Sequence, residues 1–107
     1  MASRKAVIAE FGVIPVGTGS TSVSDYVAAA VKALKNVKDV KLELTPMGTI
    51  LEAERLETIL EAIRVAHEST FQAGALRVVT VIKIDDRRDV EREMRDKVKA
   101  VEEKLKE

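Results

Sequence analysis

The apolar residues of this chain keep switching between a spacing of two, which marks a strand, and a spacing near 3.6, which marks a helix. Few folds accept the order in which the switches come. Residues 6–13 (AVIAEFGV) alternate: Val7, Ala9, Phe11 and Val13 share one face, and Ile8, Glu10 and Gly12 the other. The run 15–22 (PVGTGSTS) reads as a loop, and Ser22 with Asp25 reads as a helix cap for a segment from about Val23 to Lys35. Residues 39–45 alternate again, Pro46-Met47-Gly48 breaks them, and residues 49–53 return as the second arm of a hairpin. From Arg55 the helical spacing resumes through Leu56, Ile59, Leu60, Ile63, Ala66 and Phe71, with Gly74 as a stop. Residues 77–84 (RVVTVIKI) form a nearly unbroken β-branched run, as expected of a strand buried on most of both faces. A last helix spans about Val90 to Leu105, its stripe being Val90, Met94, Val98, Val101 and Leu105. Opposite charges flank it at spacing four: Glu91–Arg95, Arg92–Asp96, Glu93–Lys97 and Glu102–Lys106.

The order β-α-β-β-α-β-α predicts an α+β fold: a ferredoxin-like sandwich, βαββαβ with an added C-terminal helix, occupying 1–107 as a single domain. Two split β-α-β units give four antiparallel strands with two helices on one face. The strands from Ala6 and from Thr49 are then central. The other face is left open, and alternation assigns to it Ile8, Glu10, Glu43, Thr49, Leu51, Val79, Val81 and Lys83. A face so apolar is rarely left to water, so a homodimer or homotetramer associated through sheet faces is expected, with a ligand cavity where the sheets splay.

Composition removes several function classes. Lys+Arg and Asp+Glu are both 18, so the net charge is zero and the basic excess of a nucleic-acid binder is missing. With Phe11, Tyr26 and Phe71 as the only aromatic residues, the sheet lacks base-stacking platforms. The absence of cysteine excludes disulfides, thiolate metal sites and a cysteine nucleophile, and one histidine (His67) cannot build a His-rich metal site. No apolar run approaches the ~20 residues of a membrane span, and residues 1–5 lack a signal peptide's apolar centre. The expectation is a cytoplasmic protein with no membrane and no nucleic-acid partner, no cofactor, no metal and no catalysis, since no nucleophile–base pair is visible.

Three stretches carry a family resemblance: VIPVGTGSTSVSDYV (13–27), LTPMGTILEAE (44–54) and RVVTVIKIDDRRD (77–89). Pro46-Met47-Gly48-Thr49 followed by Glu52 is the most specific piece, and Asp-Arg-Arg-Asp after a strand is the next. The chain resembles, from about Val7 to Val101, the small thiamine-binding proteins, the YkoF-like or MTH-type ferredoxin-fold proteins. The resemblance implies a ferredoxin-like protomer assembling through its sheets into dimers and often tetramers. It also implies binding of thiamine or its hydroxymethylpyrimidine part without catalysis. Where family members have two domains in tandem, a site shared between them must come here from two subunits.

The candidate ligand residues are Glu10, Ser20, Ser22, Glu43, Thr45, Met47, Thr49 and Lys83. The Gly17–Ser22 loop lies before a helix N-terminus, where free N–H groups can hold an anion, although it lacks the lysine of a P-loop. It is either a ligand-lining loop or a plain connection. Glu43, Thr45, Met47 and Thr49 surround the hairpin. A carboxylate and hydroxyls can meet the polar edge of an aminopyrimidine, and a methionine can pack on its ring. The alternative is that Glu43 and Thr49 pair with Lys83 or a second subunit. Glu10 and Lys83 form either an interface ion pair or a site for the charged part of a ligand. Asp85-Asp86-Arg87-Arg88-Asp89 reads as mutual neutralisation, with Asp89 capping the last helix, and His67 as a surface or subunit-contact residue. The competing function is a structural or regulatory oligomer that binds another small metabolite, an anion or a protein.

Overall fold

The computed structural model describes residues 6–89 and 94–106. Its elements run β1 (Val7–Pro15), α1 (Ser24–Leu34), β2 (Val40–Thr45), β3 (Gly48–Ala53), α2 (Leu56–Gln72), β4 (Val78–Asp86) and α3 (Met94–Leu105). The strands form one antiparallel sheet in the order β2-β3-β1-β4. This is the ferredoxin-like sandwich, with β1 and β3 central.

The register sorts side chains between the faces. β1 pairs with β3 from Val7↔Ala53 to Phe11↔Thr49 and with β4 from Val7↔Asp86 to Pro15↔Val78. Val7, Ala9, Phe11, Val13, Leu51 and Ala53 therefore turn towards the helices. They form the core with Ala30 and Leu34 of α1 and Ile59, Ala62, Ile63 and Ala66 of α2. Burying each large aliphatic side chain contributes ~1.5–3 kcal/mol, which makes this layer the main source of stability. The alternation expected for β1 holds. On β3 it is offset by one: Thr49 and Leu51 face the helices, and Ile50 and Glu52 occupy the open face opposite Glu10 and Ile8. The offset arises because the strand starts at Gly48, and a shift of one residue exchanges the faces.

Other expectations are corrected in detail. Ser22 does not cap α1; Val23 occupies the N-cap position without a side-chain hydrogen bond, and the Ser22 hydroxyl meets that of Ser24 at 3.2 Å. The buried stripe of α2 is Ile59, Ala62, Ile63, Ala66, Ser69 and Thr70, while Leu60 and Phe71 are exposed. Ser69 and Thr70 fit there because both hydroxyls donate to the Ala66 carbonyl, at 2.8 and 3.0 Å. Gly74 ends the helix with φ of 115°, a conformation that costs glycine least.

β4 is not buried on both faces. It is an edge strand, and Val79, Val81, Ile82 and Ile84 stay exposed. An unbroken β-branched run is the same sequence pattern for a covered central strand and for an uncovered edge, so period alone could not separate them.

α3 stands away from the core: every side chain described in it except that of Lys97 is exposed, and the radius of gyration is 15.4 Å where ~13 Å is usual for a compact chain of this size. Its tethers are ion pairs. Lys97 reaches Asp85, and Arg95 lies 3.6 Å from Glu43. Lys106 pairs with Glu103 rather than Glu102. Val90 and the partners Glu91, Arg92 and Glu93 lie outside the described residues.

Candidate functional site

β1 outruns β3. Their pairing stops at Phe11↔Thr49, because the β2–β3 hairpin turns at Pro46 and Met47, whereas β1 continues beside β4 to Pro15. The result is a notch at the end of the sheet, bounded by β1, the hairpin tip and α1. It holds about 390 Å³, within the ~300–1,000 Å³ of small-molecule sites. Val13, Val23, Val27, Ala30 and Leu44 line it from the helix side; Glu10, Gly12, Ile14, Val81 and Lys83 line it from the open face.

The notch also exposes backbone. The N–H of Val16 donates to the carbonyl of Arg77 at 2.8 Å, so Val16 directs its main-chain groups towards the β4 side. Alternation then turns the groups of Val13 and Pro15 the other way, towards where β3 would be. With β3 ended, the N–H and C=O of Val13 and the C=O of Pro15 have no strand partner on that side. One donor flanked by two acceptors, set in an apolar wall, suits a flat heterocycle with a polar edge.

The hairpin tip is fixed by Thr45. Its hydroxyl donates to the Gly48 carbonyl at 2.9 Å and accepts from the N–H of Gly48 at 3.1 Å and of Met47 at 3.4 Å. Gly48 lets the strands approach closely: a Cβ there would lie 3.0 Å from the Phe11 carbonyl oxygen, a tight contact. Met47 projects above this turn, 91% exposed.

Of the eight residues expected at a ligand site, five line the notch: Glu10, Thr45, Met47, Thr49 and Lys83. Thr45 is occupied in holding the turn, and Thr49 is buried on the helix side. Glu10 and Lys83 sit opposite each other on β1 and β4 without closing an ion pair among the described residues, which leaves a carboxylate and an ammonium at the mouth. Glu43 lies on the open face near Arg95, outside the notch. Ser20 and Ser22 also lie outside it. The Ser20 hydroxyl accepts from the Ser22 N–H at 3.1 Å, and Thr18 Oγ1 donates to the Ser20 carbonyl at 3.1 Å, so the loop spends its hydroxyls on itself.

The residues that alternation did not point to are Gly12, Val13, Ile14, Val23, Val27, Ala30 and Leu44. Their signal is the mismatch in length between β1 and β3, which periodicity does not fix. Among the described residues no group of three or more His, Asp or Glu is placed to hold a metal. In the Asp-Arg-Arg-Asp segment Arg87 binds Asp89 at 2.6 Å and Arg88 binds Asp86 at 2.7 Å. The Arg88 hydrogen bond holds the Asp86 carboxyl below its ordinary value. The start of α3 lies outside the described residues, and with it the expected Asp89 cap. His67 is a tether: its Nδ1 lies 2.6 Å from Thr80 Oγ1, and its ring meets Phe71 edge-on at 5.3 Å.

The profile of the thiamine-binding proteins matches residues 9–102 of this chain. The chain belongs to the thiamine-binding protein family. A UPF0045 protein of Methanothermobacter thermautotrophicus is 57% identical over 99 residues, covering 92% of this chain and 99% of that one. The Bacillus subtilis protein YqgV is 42% identical, covering 92% and 96%. A crystal structure of a Methanocaldococcus jannaschii protein, 41% identical and covering 92% of this chain and 98% of its own, superimposes with a TM-score of 0.82. The ferredoxin-like fold of this thiamine-binding family member is thus that of a solved relative. No helix among the described residues is long and apolar enough to cross a membrane.

Proposed function

We propose that this protein binds thiamine, or its hydroxymethylpyrimidine moiety, in the notch between β1, α1 and the hairpin tip, and that it does so without catalysis. The observation that carries the reading is the unpaired edge of β1 at Val13. A 4-aminopyrimidine carries a donor (its amino group) beside an acceptor (its ring nitrogen). The C=O and N–H of one strand residue offer the complementary pair. Val23, Val27 and Leu44 supply the apolar walls for the ring. Glu10 at the mouth suits the cationic thiazolium of thiamine, and Lys83 suits a phosphate on the same ligand. Membership of the thiamine-binding family supports the ligand class.

The binding form is an oligomer. Ile14, Val79 and Val81 on the open face are 49, 42 and 57% exposed, and a second copy covers them beside the mouths of the notches.

Calorimetry with thiamine and with hydroxymethylpyrimidine tests the proposal. Saturable one-site heat is expected with both. Val27→Phe, which fills the notch, abolishes it, and Glu10→Gln weakens thiamine at least tenfold while leaving the uncharged pyrimidine nearly unchanged. Absence of heat with either ligand at millimolar concentration contradicts the proposal.

A further inference from the structure

Two strand glycines bare the open-face half of the notch. Gly12 lies in β1 and Gly48 begins β3, and alternation turns both positions towards the open face, beside Glu10 and Ile50. Neither has a positive φ, so the backbone conformation does not call for glycine at either place. At Gly12 packing does not call for it either: a Cβ there would meet nothing nearer than the Met47 carbonyl oxygen, at 4.0 Å. Glycine inside a strand gives up packing, and it marks places where another group comes close to the main chain. Around this bare floor stand Glu10, Ile14, Met47, Val81 and Lys83.

Glu10 and Lys83 are the only ionisable side chains in the lining of the notch. They occupy directly opposite positions on β1 and β4. Cross-strand Cβ atoms lie about 4.5–5.5 Å apart, and opposite charges so placed ordinarily meet. Here Gly48 draws the carboxylate the other way. The Cγ and Cδ atoms of Glu10 lie 3.5 and 3.8 Å from the point that a Cβ of Gly48 would occupy, so the carboxyl group rests over β3. Neighbouring strands are about 4.8 Å apart, which puts the carboxylate roughly 10 Å from the strand that carries Lys83. One charge of each sign is thus held on either side of a bare floor, beside an apolar cavity. The complement of that arrangement is a molecule carrying both signs a few bonds apart.

We propose that the open-face half of the notch is a subsite for a cation joined to a phosphomonoester, the cation lying against Glu10 and the phosphate on Lys83. The inference rests on the reading of the notch as a thiamine site, and it narrows the ligand to the monophosphate ester of thiamine. The pyrimidine fills the helix-side half, between Val27 and Leu44. The thiazolium crosses the floor at Gly12 and Gly48, where no side chain blocks it, and the ester arm runs towards Lys83 past Val81.

Charge separates the three forms of the ligand. Free thiamine satisfies Glu10 and leaves Lys83 without a counter-ion. The monophosphate brings about 1.5–2 negative charges at neutral pH and meets both groups with charge-assisted contacts. The diphosphate adds a second anionic group, for which the lining holds no second cation.

Calorimetric titration of the full chain with hydroxymethylpyrimidine, thiamine, thiamine monophosphate and thiamine diphosphate, at one pH and ionic strength, tests the proposal. The monophosphate is expected to bind at least tenfold more tightly than thiamine or the diphosphate. Lys83→Met is expected to erase that margin, bringing the monophosphate to within twofold of thiamine, whereas Lys83→Arg keeps most of it. Gly12→Val places a side chain on the floor, and is expected to weaken thiamine and its monophosphate at least tenfold more than it weakens hydroxymethylpyrimidine. If hydroxymethylpyrimidine and thiamine bind but the monophosphate binds no more tightly, or if the margin survives Lys83→Met, the subsite is overturned and the notch reading stands. Absence of heat with all four ligands overturns the notch reading, and the subsite with it.

Discussion

Thr45 shows how much one side chain can set. Its hydroxyl closes the hairpin that ends β3 early, and the early end is what opens the notch. Thr45→Val keeps the shape and removes three hydrogen bonds; a loss of about 1–3 kcal/mol in denaturant unfolding is expected, with weaker ligand binding as the turn loosens. Ionised side chains act more locally. Asp86, Glu57 and Glu61 are held below their ordinary values by hydrogen bonds from Arg88, Arg55 and Arg64 respectively. A carboxyl whose value is lower in the folded state adds stability above its unfolded value and loses that contribution as the pH falls through the folded one. An NMR titration is expected to place the Asp86 midpoint below that of an unpaired aspartate, and Arg88→Ala to return it; an unmoved midpoint in the variant contradicts the assignment. All three groups lie at the surface, so the effect on folding is small.

Elements divide into those that hold the fold and those that leave apolar side chains exposed. The β1–β3–α2 layer holds it. Leu51→Ala is expected to cost ~2–5 kcal/mol, since Leu51 is fully buried, whereas Leu76→Ala, at 95% exposure, is expected to change the unfolding midpoint negligibly. The same contrast explains what the sequence could tell. Element order, the central place of β1 and β3, the hairpin and the Gly74 stop were all legible, because each rests on local spacing or a local glycine. The face of Thr49 and Leu51 was not, because it turns on whether a strand starts at residue 48 or 49. The exposure of β4 was not, because the extent of helix cover is a tertiary property. The notch was half legible: Glu10, Thr45, Met47, Thr49 and Lys83 could be named as polar or adaptable residues near the hairpin. Val13 could not, since its contribution is a backbone edge and its side chain is core.

At the scale of the molecule, a thin sandwich with a projecting α3 leaves apolar surface that one chain does not cover. The gap that the short hairpin leaves is the proposed place of the ligand. Backbone amide NMR during titration with hydroxymethylpyrimidine tests whether the notch is where the ligand binds. Saturable shifts are expected at Gly12, Val13 and Ile14, at Val27 and at Gly48, with the Val13 amide moving most. No shift at millimolar ligand, or shifts confined to residues away from the notch, contradicts binding there.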